Sequence, residues 1–463
     1  MDQFDSNKLN RTLNLRDVVL LNISCIVGLS SLTQAAQFGY ASITLYLIAM
    51  VTFLIPSGLM VIELNARLPG EGGFYLWTKK AFGELHGYLA AWCYWLSNIV
   101  WLPTVLLLFT TALLYIPGEE YILYADNTTY NLTATLIILW AIVLLNFLGM
   151  ERAKWIHNIG GVAIWLCMIL LLVSGIYYYM TYGSAHVFES RTIFPSISDF
   201  SVLPFFAAVA FSFGGLELSS VMGGEVSDAR NTLIKAVFYS ALAVFLIYIV
   251  ATLMLIIIIP EHNIGVVDGV VYAFSTVGKD PAMSWVGTAG AVLVALSILG
   301  PFGAWFAGTS RLPFVVGLDQ YLPAEFGKVH KKWKSPYVSI IVQGVILSIM
   351  LIASFSGSTL QEAFLILYDM AVILYFIPFL YMFGAWIWHH KKGTGTGMVV
   401  YFHNRKNIVN GIASIGILVT LFAIIISCVP SREIVDKNLF LLKVIGGAIL
   451  LIGCGFIFYK KRN

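Results

Sequence analysis

Glu217 is the one charged residue between Phe205 and Met222, with Gly214 and Gly215 just before it and Gly223 and Gly224 just after. A carboxylate at membrane depth costs roughly 2.5–3.5 kcal/mol or more at a helix centre, so such a group is kept to face a cavity, a substrate path or a hydrogen-bonded partner. It has three uses there. It can attract a substrate ammonium strongly in low dielectric, carry a proton, or brace two helices as a purely structural acid. Gly28, followed by Leu29, Ser30 and Ser31, interrupts an earlier apolar stretch in the same way. Glycine-broken helices in corresponding positions expose unpaired N–H and C=O groups and are the best sequence pointer to a carrier's binding site. Asp369 is a second acid in an apolar span and is expected either to pair with Lys443 or to act as a proton site. Asn98 and Trp101 stand in an aromatic run and are candidates for lining a path, because a buried amide demands partners; packing against lipid is the alternative for the run.

The elements that must hold these residues are membrane helices. The chain has 463 residues, of which 59% are hydrophobic and 11% charged, against about 25% charged in a soluble domain. Twelve apolar stretches of spanning length, about 17–25 residues or somewhat longer, are predicted. They run near 17–38, 40–63, 85–115, 132–148, 155–179, 203–222, 233–259, 285–308, 337–355, 363–388, 408–429 and 440–459. The bilayer satisfies no backbone polar group, so all are expected to be helices in an all-α polytopic protein. Placing both termini on one side collects there most of the 27 Lys and Arg residues, which makes that side the cytoplasm. The net charge of +3 then reflects topology, and no nucleic-acid partner is implied. The lipid bilayer is the predicted surrounding.

The five cysteines fall in apolar spans without metal-ligand spacing, so no metal or cofactor is predicted. No catalytic residue is predicted either. Of the eight histidines only His157 is near a span interior, and no acid, Ser or Cys stands at a catalytic spacing from it. One membrane domain, 1–463, is expected. The broken spans one and six suggest two units of five helices, about 17–181 and 202–388, entering the membrane in opposite directions, with two further helices at 408–459.

Three segments in order and register give the chain a family resemblance. The first is Glu63-Leu64 with Leu68-Pro69-Gly70-Glu71-Gly72-Gly73-Phe74-Tyr75 and Ala81-Phe82-Gly83. Phe211-Ser212-Phe213-Gly214-Gly215-Leu216-Glu217 continuing to Gly224-Glu225-Val226, Asp228, Arg230 and Lys235 is the second. The third runs from Gly308-Thr309-Ser310-Arg311-Leu312-Pro313 through Asp319, Leu322-Pro323, Phe326 and Lys328-Val329-His330 to Ser335-Pro336. Together they resemble the amino acid–polyamine–organocation transporter superfamily, in particular its bacterial amino acid permeases and antiporters, over nearly the whole chain. The resemblance implies a leucine-transporter-type 5+5 inverted repeat and a bacterial inner membrane. It implies that Gly28, Leu29, Ser30 and Ser31 contact a substrate carboxylate and that Phe211 to Gly215, including Gly214, contact its amine. Phe211 is similar to an aromatic gate, Trp305 resembles a second gating aromatic, and Glu217 matches a coupling position of cation antiporters.

Two departures shape the expectation. The family's Gly-Ser-Gly is replaced here by Gly28-Leu29-Ser30-Ser31, which makes close backbone approach to a carboxylate harder and leaves amines open as substrates. Some proton-coupled members of that superfamily carry a lysine in the fifth span, but the equivalent stretch here, 158–172, has none, so lysine-mediated proton coupling is not expected. A secondary carrier for amino acids, working by exchange or by proton symport through Glu217, is the predicted function. A polyamine or organic-cation antiporter is the first alternative, with a membrane enzyme or a non-transporting sensor behind it. The oligomeric state stays open.

Overall fold

In the computed structural model the described residues are 14–68, 73–186, 193–194, 202–218, 229–260, 264–318, 321–355, 360–393, 405–430, 434 and 436–461. Residues 69–72 of the first motif, 219–228 after Glu217 and Asp319 of the third motif lie outside them. Helix α1 (Leu15–Ile26) starts at a reciprocal cap, in which Asp17 N–H donates to Asn14 Oδ1 and Asn14 N–H donates to Asp17 Oδ2. It stops at Val27 and Gly28, both extended, and the chain resumes as α2 (Leu29–Ala36), whose eight residues are all buried.

After a turn at Gly39, which has a positive φ, comes α3 (Ala41–Arg67). It widens into one π-helical turn at Met50–Leu54 just before Pro56. The ring of Pro56 would collide with the carbonyl four residues back in a regular helix, and the wide turn moves that carbonyl aside. The chain continues through α4 (Gly73–Phe82), α5 (Glu84–Tyr115), α6 (Thr128–Phe147), α7 (Met150–Tyr182) and α8 (Val202–Ser212). Then follow α9 (Ala229–Ile258), the short α10 (Gly269–Gly278), α11 (Ser284–Leu318), α12 (Tyr337–Ser354), α13 (Leu360–Lys392), α14 (Lys406–Ile426) and α15 (Lys437–Lys460).

Among the described residues ten helices are long and apolar enough to cross a membrane: α3, α5, α6, α7, α9, α11, α12, α13, α14 and α15. The two other stretches the sequence marks as spans are the interrupted ones, where α1, α2 and α8 are each only 8 to 12 residues long. The regular lengths therefore fail where the sequence places its glycines.

Burial sorts the helices. In the most apolar stretch of each, 89% of α5 and 78% of α13 is buried, against 28% of α14 and α15. The first two are thus the middle of the bundle, while α14 and α15 turn Leu418, Ile425, Leu442 and Ile449 outward. The helix α13 packs on α5 and α14, α11 packs on α7 and α5, and α1 packs on α9. Where α7 crosses α11, a Cβ on Gly160 would stand 2.2 Å from the Gly300 nitrogen, so only glycine permits that approach.

Candidate functional site

The two breaks meet in space. Gly215 adopts a φ of +120°, which a side chain would strain, and a Cβ there would stand 2.9 Å from Ile26 at the end of α1. A break frees carbonyls at the end of one half-helix and amides at the start of the next, and buried groups of that kind need partners. Tyr248 of α9 supplies them to both breaks at once. Its hydroxyl donates to the Ile26 carbonyl at 2.7 Å, receives the Gly28 N–H at 3.0 Å, and lies 3.2 Å from the Ser212 carbonyl at the end of α8. Trp305 of α11 adds a further tether, its indole N–H donating to the Cys25 carbonyl at 3.0 Å.

Glu217 hangs from the second break. Its side chain is buried, at 1% exposure. The Tyr94 hydroxyl of α5 donates to Oε1 at 2.8 Å and the Tyr375 hydroxyl of α13 donates to the same oxygen at 2.6 Å. Gly215 N–H donates to Oε2 at 3.0 Å. Every one of these donors is neutral. The chain turns so tightly that a Cβ on Gly214 would meet the Tyr375 hydroxyl at 2.2 Å, which explains a glycine in that position as well as at Gly215.

The aromatic candidates cluster around this point. Phe211 is edge-on to both Tyr368 and Tyr375, at 5.3 and 5.0 Å between centroids. Trp101 is edge-on to Trp305 at 5.7 Å, and Tyr94 lies 6.4 Å from Trp305. Of the α2 residues, Leu29, Ser30 and Ser31 are buried beside Gly28, and the Ser30 carbonyl is taken by the Thr33 hydroxyl at 2.9 Å. Asn98 is buried but spends its amide nitrogen on the Tyr94 carbonyl of its own helix, at 2.8 Å. Asp369 is half-buried on α13. Gly28, Phe211, Gly214, Gly215, Glu217, Trp101 and Trp305 are thus brought together, while the Asn98 amide nitrogen is spent within its own helix.

Sequence reading missed Tyr94, Tyr248 and Tyr375. Tyrosine is common here, with 23 copies, and nothing local distinguishes these three. It also missed a second buried cluster. Where α3 and α13 end, Glu63 Oε1 receives Arg67 Nε at 2.9 Å and Arg67 Nη2 at 2.8 Å, and His390 Nδ1 lies 2.9 Å from the same oxygen. Next to it, His389 Nε2 is 3.0 Å from the Trp77 carbonyl. The Glu63–Arg67 spacing of four residues is a helical pairing signal, but the arrival of His390 depends on tertiary packing.

Outside the spans, two carboxylates shift in opposite directions. Hydrogen bonds from the Tyr177 and Tyr182 hydroxyls and the Ala282 N–H hold Asp280 below the usual carboxylate range. Burial pushes Asp268 up, against the stabilising hydrogen bond from Tyr115.

A sequence model described as amino acid permease matches residues 13–450. The chain is 30% identical to an uncharacterized transporter of Legionella pneumophila, over 99% of this chain and 98% of that one. It is 22% identical to a probable agmatine/putrescine antiporter of Lactococcus lactis, covering 96% and 94% of the two chains. A glutamate/gamma-aminobutyrate antiporter of the same species is 23% identical, over 85% of this chain and 78% of its own length.

Proposed function

Since the chain belongs to the amino acid permease family, we propose that this integral membrane secondary transporter moves amino acids by alternating access at the paired breaks. The single observation that carries the reading is the meeting of the two breaks around one carboxylate, Glu217, braced by helices α5 and α13. A carrier must hold a polar site at membrane depth and still let its half-helices tilt. Broken helices supply the hinges, and neutral hydroxyl donors can exchange partners without leaving a bare charge behind.

In this reading α1 with α2 forms the first of twelve spans and α8 opens the sixth. The repeats are about 17–181 and 202–388, with α14 and α15 outside them. Both termini lie in the cytoplasm of a cell with this protein in its inner membrane. Glu217 couples rather than coordinates, because its oxygens already receive Tyr94, Tyr375 and the Gly215 amide. Phe211 and Trp305 flank the path, and Gly28 to Ser31 with Gly214 and Gly215 line the substrate site. The cycle is an exchange, or proton symport with Glu217 carrying the proton.

A second reading, amine or diamine exchange, is favoured by the likeness to a probable agmatine/putrescine antiporter. Counterflow in proteoliposomes separates the two. Vesicles loaded with one unlabelled amino acid or diamine are expected to accumulate the same labelled compound, with amino acids as the effective class. Counterflow with diamines alone would transfer the assignment to the second reading, and none across a broad panel would reject both.

A further inference from the structure

Gln343 is the polar side chain in the middle of α12, and it is fully buried. A buried amide is costly unless its donors and its acceptor are used. Here they are. Its Oε1 receives the Trp95 indole N–H of α5 at 3.1 Å, and its Nε2 donates to the Thr309 hydroxyl and the Phe306 carbonyl of α11 at 3.1 and 3.2 Å. These partners fix the orientation of the amide, because an indole only donates and a carbonyl only accepts. Thr309 passes the contact on. Its single hydroxyl proton goes to the Trp305 carbonyl at 2.7 Å, so the same oxygen accepts from Gln343.

Each end of this chain of bonds leads to one of the breaks. Trp305 donates through its indole to the Cys25 carbonyl at the end of α1, at 3.0 Å. Trp95 follows Tyr94, whose hydroxyl holds Glu217 past the second break at 2.8 Å. The helix between them is weakened where it matters, since Pro301 and Pro313 each remove one N–H from the ladder of α11, on either side of Trp305. A segment flanked in this way takes its position from the side chains that grip it, and Gln343 grips it at Phe306 and Thr309.

We propose that Gln343 is a positioning residue, which sets the spacing of α5 and α11 and, through Thr309, holds the Trp305 indole against the Cys25 carbonyl. The inference rests on the transporter reading above, which puts Trp305 beside the substrate path, and deepens it by naming what keeps that aromatic in place. Gln343 acts from behind the site. Its two partner helices carry Tyr94 and Trp305, so one amide keeps the supports of both breaks in register.

The test reads the buried thiol of Cys25 in the full chain, with the other cysteines replaced by alanine; a matching protein keeps only Cys167, buried on α7. Maleimide labelling of Cys25 is expected to quicken at least about fivefold in Gln343→Leu and in Thr309→Val, and to stay within about twofold of native in Thr309→Ser, which keeps the hydroxyl. Labelling of Cys167 should change less than about twofold in all three, which a general loosening of the bundle would not allow. Trp305→Phe alone should raise Cys25 labelling as well, and adding Thr309→Val to it should raise it no further, because Thr309 acts through Trp305. In counterflow, Gln343→Leu and Thr309→Val should each lower the maximal rate at least about threefold, with the half-saturating concentration changed less than about twofold. Unchanged Cys25 labelling in both variants, a parallel rise at Cys167, additive effects with Trp305→Phe, or an unchanged maximal rate overturns the proposal. The expected labelling in a native protein that shows no counterflow would instead sink the transporter reading and leave Gln343 as the residue that positions Trp305.

Discussion

Two buried carboxylates in this protein are held in opposite ways. Glu63 is held by a cation: Arg67 approaches one oxygen through two nitrogens, and His390 adds a contact from α13. Glu217 is held by two tyrosine hydroxyls and a backbone amide. The first arrangement resists change, because removing one partner strands a buried charge, whereas the second can lose or gain a hydrogen bond at modest cost. His390 sharpens the contrast. Its Nδ1 lies 3.1 Å from Arg67 Nη2 as well as 2.9 Å from Glu63, and one ring nitrogen cannot donate to the acid and accept from the guanidinium at once. The Glu63 cluster therefore acts as a clamp between the ends of α3 and α13, and the Glu217 cluster as a joint between the breaks and the bundle centre.

The largest effect should come from breaking the clamp. Arg67→Met is expected to destabilise the detergent-solubilised protein by about 3–5 kcal/mol, the cost of a buried pair deprived of one member. Denaturant titration followed by tryptophan fluorescence reads it, and a loss below about 1 kcal/mol would place the pair with exposed, weak ion pairs.

Tyr248→Phe probes the joint from the side. It leaves the Gly28 amide and the Ile26 carbonyl without the partner they have now, and a cost of about 1–3 kcal/mol follows for unpaired buried groups. The same titration checks it; an unchanged midpoint would mean that other groups close the breaks.

Smaller again is the effect of Tyr94→Phe or Tyr375→Phe, about 1 kcal/mol each, since the other hydroxyl stays on Glu217 Oε1. Their double variant should cost more than the sum, and strict additivity would show that the two hydroxyls do not share one acceptor.

Asp280 gives the smallest and the most pH-dependent effect. Its carboxyl is lowered chiefly by the Tyr177 hydroxyl, then by Tyr182 and the Ala282 amide. A lowered carboxyl contributes stability above its unfolded value and loses it as the pH falls through the folded one. The melting-temperature gap between the native protein and Asp280→Asn should thus be present at neutral pH and close on strong acidification. A gap that widened in acid would reverse the sign of the argument.

The sequence makes some of this legible for a physical reason. A carboxylate or a glycine pair in an apolar run violates a local rule, so Glu217, Gly214, Gly215 and Gly28 announce themselves without knowledge of the fold. Breaks also shorten helices, which is why α1, α2 and α8 fall below spanning length while ten others do not. Tyr94, Tyr248 and Tyr375 break no local rule. Each is fit for an ordinary membrane helix, and only the packing of α5, α9 and α13 around the two breaks gives it a role. Trp305 illustrates the middle case, similar by family resemblance to a gating aromatic and found donating to the Cys25 carbonyl. Pairing across helices is similarly hidden: nothing in the sequence around Glu63 points to its contact with His390 of α13.

Glu217→Gln offers the most direct test that this carboxylate couples movement rather than holds substrate. Counterflow and equilibrium binding would be measured on the same preparations. The account predicts a counterflow rate at least about tenfold lower with Kd changed by less than about threefold, the pattern of a group that acts on the cycle and not on ground-state binding. A Kd weakened as much as the rate would make Glu217 a substrate ligand and contradict the joint described here.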